Sequence, residues 1–197
     1  MEQMQILLAI LVLLPFVSAL LLALCGSDRM RRLIVYGSAG VLMISAVAFA
    51  VCFFSGENLQ LRFLQNGGII DHTMLALEAG FAVLITVLSI KYRRYYVAVL
   101  SIAQTVLTFV YELGGYKPAV QPYNLFADQL TVIMVLIIAV VGTLITVYAV
   151  GYMRDYHNHH KEYTDRRRFF FAMLYVFLGA MFGLVLSNSL LWLYFFW

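Results

Sequence analysis

The chain has 197 residues, 63% of them hydrophobic and 12% charged, with a formal net charge of +3. No soluble domain of that length hides so much apolar surface, so lipid is the expected solvent. The sequence holds no phosphate-cradling glycine loop, nucleophile elbow or paired catalytic carboxylates, which excludes the common soluble enzyme chemistries.

A hydrocarbon core about 30 Å thick takes roughly 20 apolar residues at 1.5 Å each. Gln3 to Ser27 carries no charge, and Ile6 to Leu24 is almost wholly aliphatic. Only Glu2 is charged before it, so the basic start of a secretory signal is missing and the run predicts a first transmembrane helix. Pro15 is expected to bend it. SDRMRR then supplies three arginines before a second charge-free run, Leu33 to Gly56. Its Gly37, Ser38, Ala39 and Gly40 are small enough to admit a neighbouring helix. Ser55 to Thr73 is polar around Gly67-Gly68 and reads as an exposed loop.

Two shorter runs follow, Met74 to Ile90 with Glu78 and Tyr95 to Tyr111 with Gln104. They predict a third and a fourth span, joined at KYRRYY, where cations and aromatics suit a membrane-interface turn. A loop with Pro118 and Pro122 precedes Asp128, the expected N-cap of a fifth helix to about Val150. The charged loop RDYHNHHKEYTDRRR comes next, in which Thr164 or Asp165 can cap a sixth helix, Phe169 to Leu186. Ser187-Asn188-Ser189 breaks that run, and LLWLYFFW begins a seventh helix.

The expected fold class is therefore an all-α membrane protein of six transmembrane helices plus a half-helix stub. Arg29, Arg31 and Arg32 fall in the first loop, Lys91, Arg93 and Arg94 in the third, and Arg154, Lys161, Arg166, Arg167 and Arg168 in the fifth. The even loops hold only Arg62 and Lys117. The positive-inside rule then sets the N-terminus outside and the odd loops in the cytoplasm of a multi-pass cell-membrane protein. The basic residues sit in short membrane loops, so nucleic acid is not an expected partner.

FADQLTVIMVLIIAVVGTLITVYAVGYM, followed by RRRFFFAMLYVFLGAMFGLVLSNSLLWLYFFW, resembles the N-terminal signature of the antiporter-like proton-pumping subunits. That family joins the chain 5 subunit of respiratory complex I, the Mrp-type cation/proton antiporters and the large membrane subunits of energy-converting hydrogenases. The resemblance rests on Asp128 opening a helix, Gly151-Tyr152-Met153 closing it and Arg168-Phe169-Phe170 opening the next. It rests also on the Ser187-Asn188 break and the run ending in Trp197. It makes residues 126–197 the start of the antiporter-like core and residues 1–125 an N-terminal group of four spans. Within that group the pair 74–111 looks like an insertion, and the whole is most similar to the A subunit of Ech-type hydrogenases.

The resemblance implies a membrane subunit of a redox-driven H⁺ or Na⁺ translocating complex, alongside other membrane and peripheral subunits and lipid. Nickel–iron and iron–sulfur clusters are implied on those partner subunits and no cofactor on this chain. The family's glutamate after the tryptophan and its later lysines lie beyond Trp197, so the sequence reads as a piece of a longer subunit. The alternatives are a component of an Mrp-type antiporter and a non-pumping structural module.

The candidate ion-pathway residues are Glu78 and Asp128. Glu78 is an acid inside an apolar span, which points to an ion route or to a charge near the start of its helix. Asp128 points to a helix cap or to a polar network near the outer face. Gly179 and Gly183 form G-x-x-x-G, expected to serve close helix packing. His157, His159 and His160 read as a solvated loop, and no metal site is expected there. Arg166, Arg167 and Arg168 read as topology determinants, with anionic lipid as the other candidate contact. Cys25 and Cys52 read as small hydrophobes.

Overall fold

The computed structural model describes residues 2–56, 61–65, 69–113, 123–159 and 165–197. Gly67-Gly68, Pro118, Pro122, His160 and Thr164 lie outside them. The described residues form α1 (Glu2–Leu24), α2 (Asp28–Phe54), β1 (Leu61–Gln65), α3 (Ile69–Lys91) and α4 (Tyr95–Leu113). Then come β2 (Tyr123–Ala127), α5 (Gln129–His159), α6 (Arg167–Leu186) and α7 (Leu190–Phe196). Five helices are long and apolar enough to cross a membrane: α1, α2, α3, α5 and α6. The fourth expected span, α4, is shorter, with 19 residues. That is about 28 Å of helix, just short of an average hydrocarbon core.

Several boundaries differ from expectation for identifiable reasons. α2 starts at Asp28 rather than Leu33, because Asp28 in the first turn favours the positive helix end and bonds Arg31 one turn on. α3 starts at Ile69 rather than Met74, so part of the expected exposed loop is helical. α5 continues nine residues beyond Val150 through the first half of the charged loop. Tyr148, Tyr152 and Tyr156 stack along that extension, with centroids 6.1 and 6.3 Å apart, at the four-residue spacing that carries helical neighbours. The N-cap of α6 is Arg166, not Asp165, although the Asp165 carboxylate accepts from the Arg167 N–H at 3.0 Å. β1 and β2 pair in a two-stranded sheet that the apolar pattern did not predict, and Leu125 bridges Ser187 at the expected break.

The structure divides into two compact units, Met1–Phe63 with Leu125–Trp197, and Leu64–Asn124. In the first, α1 packs most extensively on α6, α2 lies against α1 and α5, and α5 and α7 also touch α6. Its core contains Leu11 and Leu22 of α1, Leu42, Phe49 and Phe53 of α2, Val132 and Val135 of α5, and Tyr175, Phe182 and Leu186 of α6. The faces turned away from this core are almost entirely apolar, for example Leu20, Leu33, Ile44 and Leu144, as lipid contact requires.

Of the four small residues expected to admit a helix, Ser38 and Ala39 do face the core, whereas Gly37 and Gly40 face outward. A methyl group added at either glycine would touch nothing within 4 Å. Four consecutive positions cover a full helical turn, so only half of them can meet a neighbour.

In the second unit α3 and α4 pack side by side, and the Ser101 hydroxyl donates to the Ala82 carbonyl at 3.4 Å. Arg93 closes α3 in the left-handed region at φ 57°, a position usually given to glycine. The Ser89 side chain donates to the Arg94 carbonyl, and the Arg94 N–H returns to the Ser89 carbonyl at 2.8 Å, which ties the turn from both sides.

Candidate functional site

Asp128 sits at the mouth of α5 and acts on the helix itself. Its Oδ1 accepts from the Thr131 N–H at 2.8 Å and from the Thr131 hydroxyl at 2.9 Å. An unmet first-turn amide is thereby satisfied. The backbone N–H of Thr131, with the Thr131 hydroxyl second, holds the Asp128 carboxyl below its usual range. A depressed folded value means that the cap contributes fully above the ordinary carboxylate pKa and fades as pH falls through the lowered one. Asp128→Ala is expected to cost about 1 kcal/mol, and Asp128→Asn less, by thermal unfolding in detergent. Equal losses for the two would rule out the cap as the source.

Glu78 lies further along its helix than the sequence suggests. With α3 beginning at Ile69, it is the tenth residue of its helix and belongs to the third turn. It is half-buried, and the apolar span around it runs from His72 to Lys91. The dipole argument for a helix-start charge is therefore removed, since that effect fades within the first turn.

Gly179 and Gly183 face different partners. A methyl group on Gly179 would lie 2.9, 3.0 and 3.1 Å from three ring atoms of Phe16 in α1, and one on Gly183 would strike the Phe196 ring of α7. Gly142 of α5 similarly makes room for the Leu178 side chain of α6.

Sequence reasoning missed a thread of hydroxyls through the first unit. Tyr175 of α6 is fully buried, and its hydroxyl lies 2.6 Å from the Ser38 hydroxyl of α2. It also donates to the Val35 carbonyl at 3.1 Å, and the Thr146 hydroxyl of α5 lies nearby. Ser38 can donate to the Ile34 carbonyl at 2.6 Å, and Thr146 to the Thr143 carbonyl at 2.7 Å. Three helices thus meet at one tyrosine whose polar atom is satisfied where water is absent. Ser38 and Tyr175 each have at least two acceptors within reach, but no titratable group other than Tyr175 takes part. The thread therefore works as a clasp between helices, without acid–base chemistry.

The arginine-rich end of the same unit carries an ion-pair chain. Asp28 accepts from Arg31 at 2.6 Å and from Arg167 at 3.4 Å, and Arg167 also pairs with Asp165 at 2.8 Å. Asp28 thereby joins the start of α2 to the start of α6. The hydrogen bond from Arg167 is the main reason that the Asp165 carboxyl is held far below its usual range. His157 Nε2 stands 3.8 Å from Asp165, and His159 Nδ1 lies 2.8 Å from the Asp155 carbonyl. Among the described residues no three His, Cys, Asp or Glu side chains gather as a metal site. Arg168 packs on Gly26, where a methyl group would come within 2.7 Å of its guanidinium, and so fixes the α1–α2 turn.

Residues 121–170, from the approach to β2 through α5 to the start of α6, match the family model described as NADH-ubiquinone oxidoreductase (complex I), chain 5 N-terminus. The resemblance read from the sequence runs on to Trp197, and the family model stops at Phe170. The A1 subunit of a Na(+)/H(+) antiporter of Staphylococcus haemolyticus is 29% identical over 103 residues, which is 52% of this chain and 12% of that protein. Its counterpart in Staphylococcus aureus is 25% identical over 142 residues, 64% of this chain and 17% of that protein. A Na(+)/H(+) antiporter protein of the same type from Alkalihalophilus pseudofirmus is 35% identical over 75 residues, 38% of this chain and 8% of that protein. The chain thus spans less than a fifth of the length of these relatives. With a chain 5 match centred on α5 and antiporter relatives extending over much of a multi-pass helical membrane protein, the comparisons support an antiporter-like subunit similar to those of complex I and the Mrp antiporters.

Proposed function

We propose that this chain is the N-terminal helical module of a membrane subunit in an H⁺ or Na⁺ translocating assembly, packed beside other membrane and peripheral subunits. The match over residues 121–170 carries this reading. In its finer form the assembly is an Ech-type energy-converting hydrogenase, with nickel–iron and iron–sulfur clusters on partner subunits. The inserted-looking pair 74–111, which contributes α3 and α4, supports that form. An Mrp-type Na⁺/H⁺ antiporter is the second reading, favoured by the names of the relatives. On either reading residues 126–197 begin the antiporter-like core, and the α1, α2, α5 and α6 bundle is a rigid anchor. Glu78 is the acid of this chain that we place on an ion route, because it is carried into the third turn of an apolar helix.

Purification of the native assembly through this chain separates the readings. Nickel and iron in stoichiometric amounts, with hydrogenase-type subunits, are expected for the hydrogenase. Metal-free copurification of small membrane subunits, with Na⁺-driven proton movement in vesicles, would replace it by the antiporter. Recovery of the chain without partners would defeat both. In the same vesicles Glu78→Gln is expected to lower ion movement at least tenfold with assembly intact, and movement within twofold of the parent would take Glu78 off the route.

A further inference from the structure

We propose that a cavity at the arginine-rich end of α2, α5 and α6 holds the phosphate of an anionic phospholipid headgroup. The cavity measures about 200 Å³ and its polar lining is Asp28, Arg31, Arg32, Arg154 and Arg167. Four guanidinium groups thus line the cavity with one carboxylate, and Arg167 is also held by Asp165 outside the lining at 2.8 Å. Asp28 is already engaged by Arg31 and Arg167. Arg154 has only a loose contact with Asp155 at 3.9 Å, both side chains being exposed, and Arg32 forms no ion pair among the described residues.

Arg31 supplies the second, independent observation. It is 5% exposed, yet its Nε–H is buried without an acceptor. Its guanidinium lies 6.0 Å from the Phe171 ring centroid, which fixes the plane of the group without meeting that donor. A buried charged donor left unmet is costly, and an anionic oxygen in the cavity would satisfy it. Planar guanidinium groups on several sides suit the several oxygens of a phosphate better than a single-oxygen ligand.

The position favours a lipid over a diffusible phosphate. The lining comes from the first turns of α2 and α6 and from Val150 to Arg154 of α5, where apolar runs give way to charge. That is headgroup depth, and the charge distribution puts it on the cytoplasmic leaflet, where anionic lipids attract arginine. Tyr36, Val150 and Met153 complete the wall with apolar surface, and Tyr36 is half exposed, as an interfacial aromatic is. A phosphate joined to a glycerol and acyl chains fits such a wall, whereas a free phosphate would leave it uncovered.

The test is native mass spectrometry of the full chain in mild detergent, titrated with dioleoyl phosphatidylglycerol, dioleoyl phosphatidylcholine or inorganic phosphate. Phosphatidylglycerol is expected to remain bound through detergent removal, with phosphatidylcholine at background. Arg32→Gln combined with Arg154→Gln alters two exposed side chains outside the packed core and is expected to weaken binding about 25-fold, roughly fivefold for each arginine. Arg31→Gln should weaken it further, and the exposed pair keeps the test valid where that variant fails to fold. Equal retention of the two lipids, or unchanged binding in the double variant, would overturn the proposal. Inorganic phosphate displacing phosphatidylglycerol at equal concentration would reassign the cavity to a soluble anion and overturn the lipid source.

Discussion

Tyr175→Ala is expected to destabilise the first unit by about 3.6 kcal/mol, measured as reversible unfolding in mixed micelles. In a bilayer the separated helices still lie in lipid, so the usual hydrophobic transfer gain is small and packing carries the loss. Tyr175 is among the largest fully buried side chains, and it sits where α2, α5 and α6 converge. Emptying roughly 100 Å³ at about 24 cal/mol per Å³ gives about 2.4 kcal/mol. The hydrogen bonds to Ser38 and Val35 add about 0.6 kcal/mol each at the average for polar contacts between membrane helices. Tyr175→Phe keeps the ring and should cost only about 1 kcal/mol. Combined with Ser38→Ala it should cost less than the two single changes summed, because Ser38 would already have lost its partner. If Tyr175→Ala cost no more than Tyr175→Phe, the ring would not be packed as described.

The membrane character and number of the apolar helices were legible because an apolar run of 20 residues has few other solutions in lipid. What the charges did at the helix ends was not. Asp28, Arg31 and Arg32 read as loop residues, yet the Asp28–Arg31 contact at three-residue spacing belongs to a helix. Asp71 and His72 likewise masked the first turns of α3, and with them the place of Glu78 along that helix. A signal for the α5 extension stood in the sequence as Tyr148, Tyr152 and Tyr156, spaced by four. The clasp was not legible at all. Ser38 and Tyr175 are 137 positions apart, and nothing in either neighbourhood names the other. Ser38 read only as a small residue, because a hydroxyl in an apolar run shows its purpose only once its partner is placed. The arginine cavity has the same origin, since its lining is drawn from three helices separated by most of the chain.

Gly179 carries the second large effect, because α1 and α6 form the most extensive helix pair of the first unit and meet there across a missing side chain. Phe16 approaches so closely that a methyl group would lie within 3.1 Å of three of its ring atoms. Gly179→Ala must therefore displace a ring, and Gly179→Leu must part the two helices. Overpacking of this kind costs typically 1–3 kcal/mol, which places alanine near about 1 kcal/mol and leucine at about 3 kcal/mol or more. Phe16 is half-buried and can swing only partly toward lipid, so the alanine cost is not fully relieved. The decisive measurement is rescue. Phe16→Ala alone opens a gap and destabilises, but in the Gly179→Leu background it removes the obstacle. The double variant should then be at least about 1 kcal/mol more stable than the sum of the single effects. Simple additivity would mean that Gly179 is required for some reason other than contact with α1, and the close approach of α1 to α6 would lose its sequence explanation. Gly37→Ala, whose added methyl group meets nothing within 4 Å, should not destabilise and should gain up to about 1 kcal/mol from helix propensity. The contrast between two glycines in apolar helices, one facing a ring and one facing lipid, then separates a packing requirement from the general helix propensity of glycine.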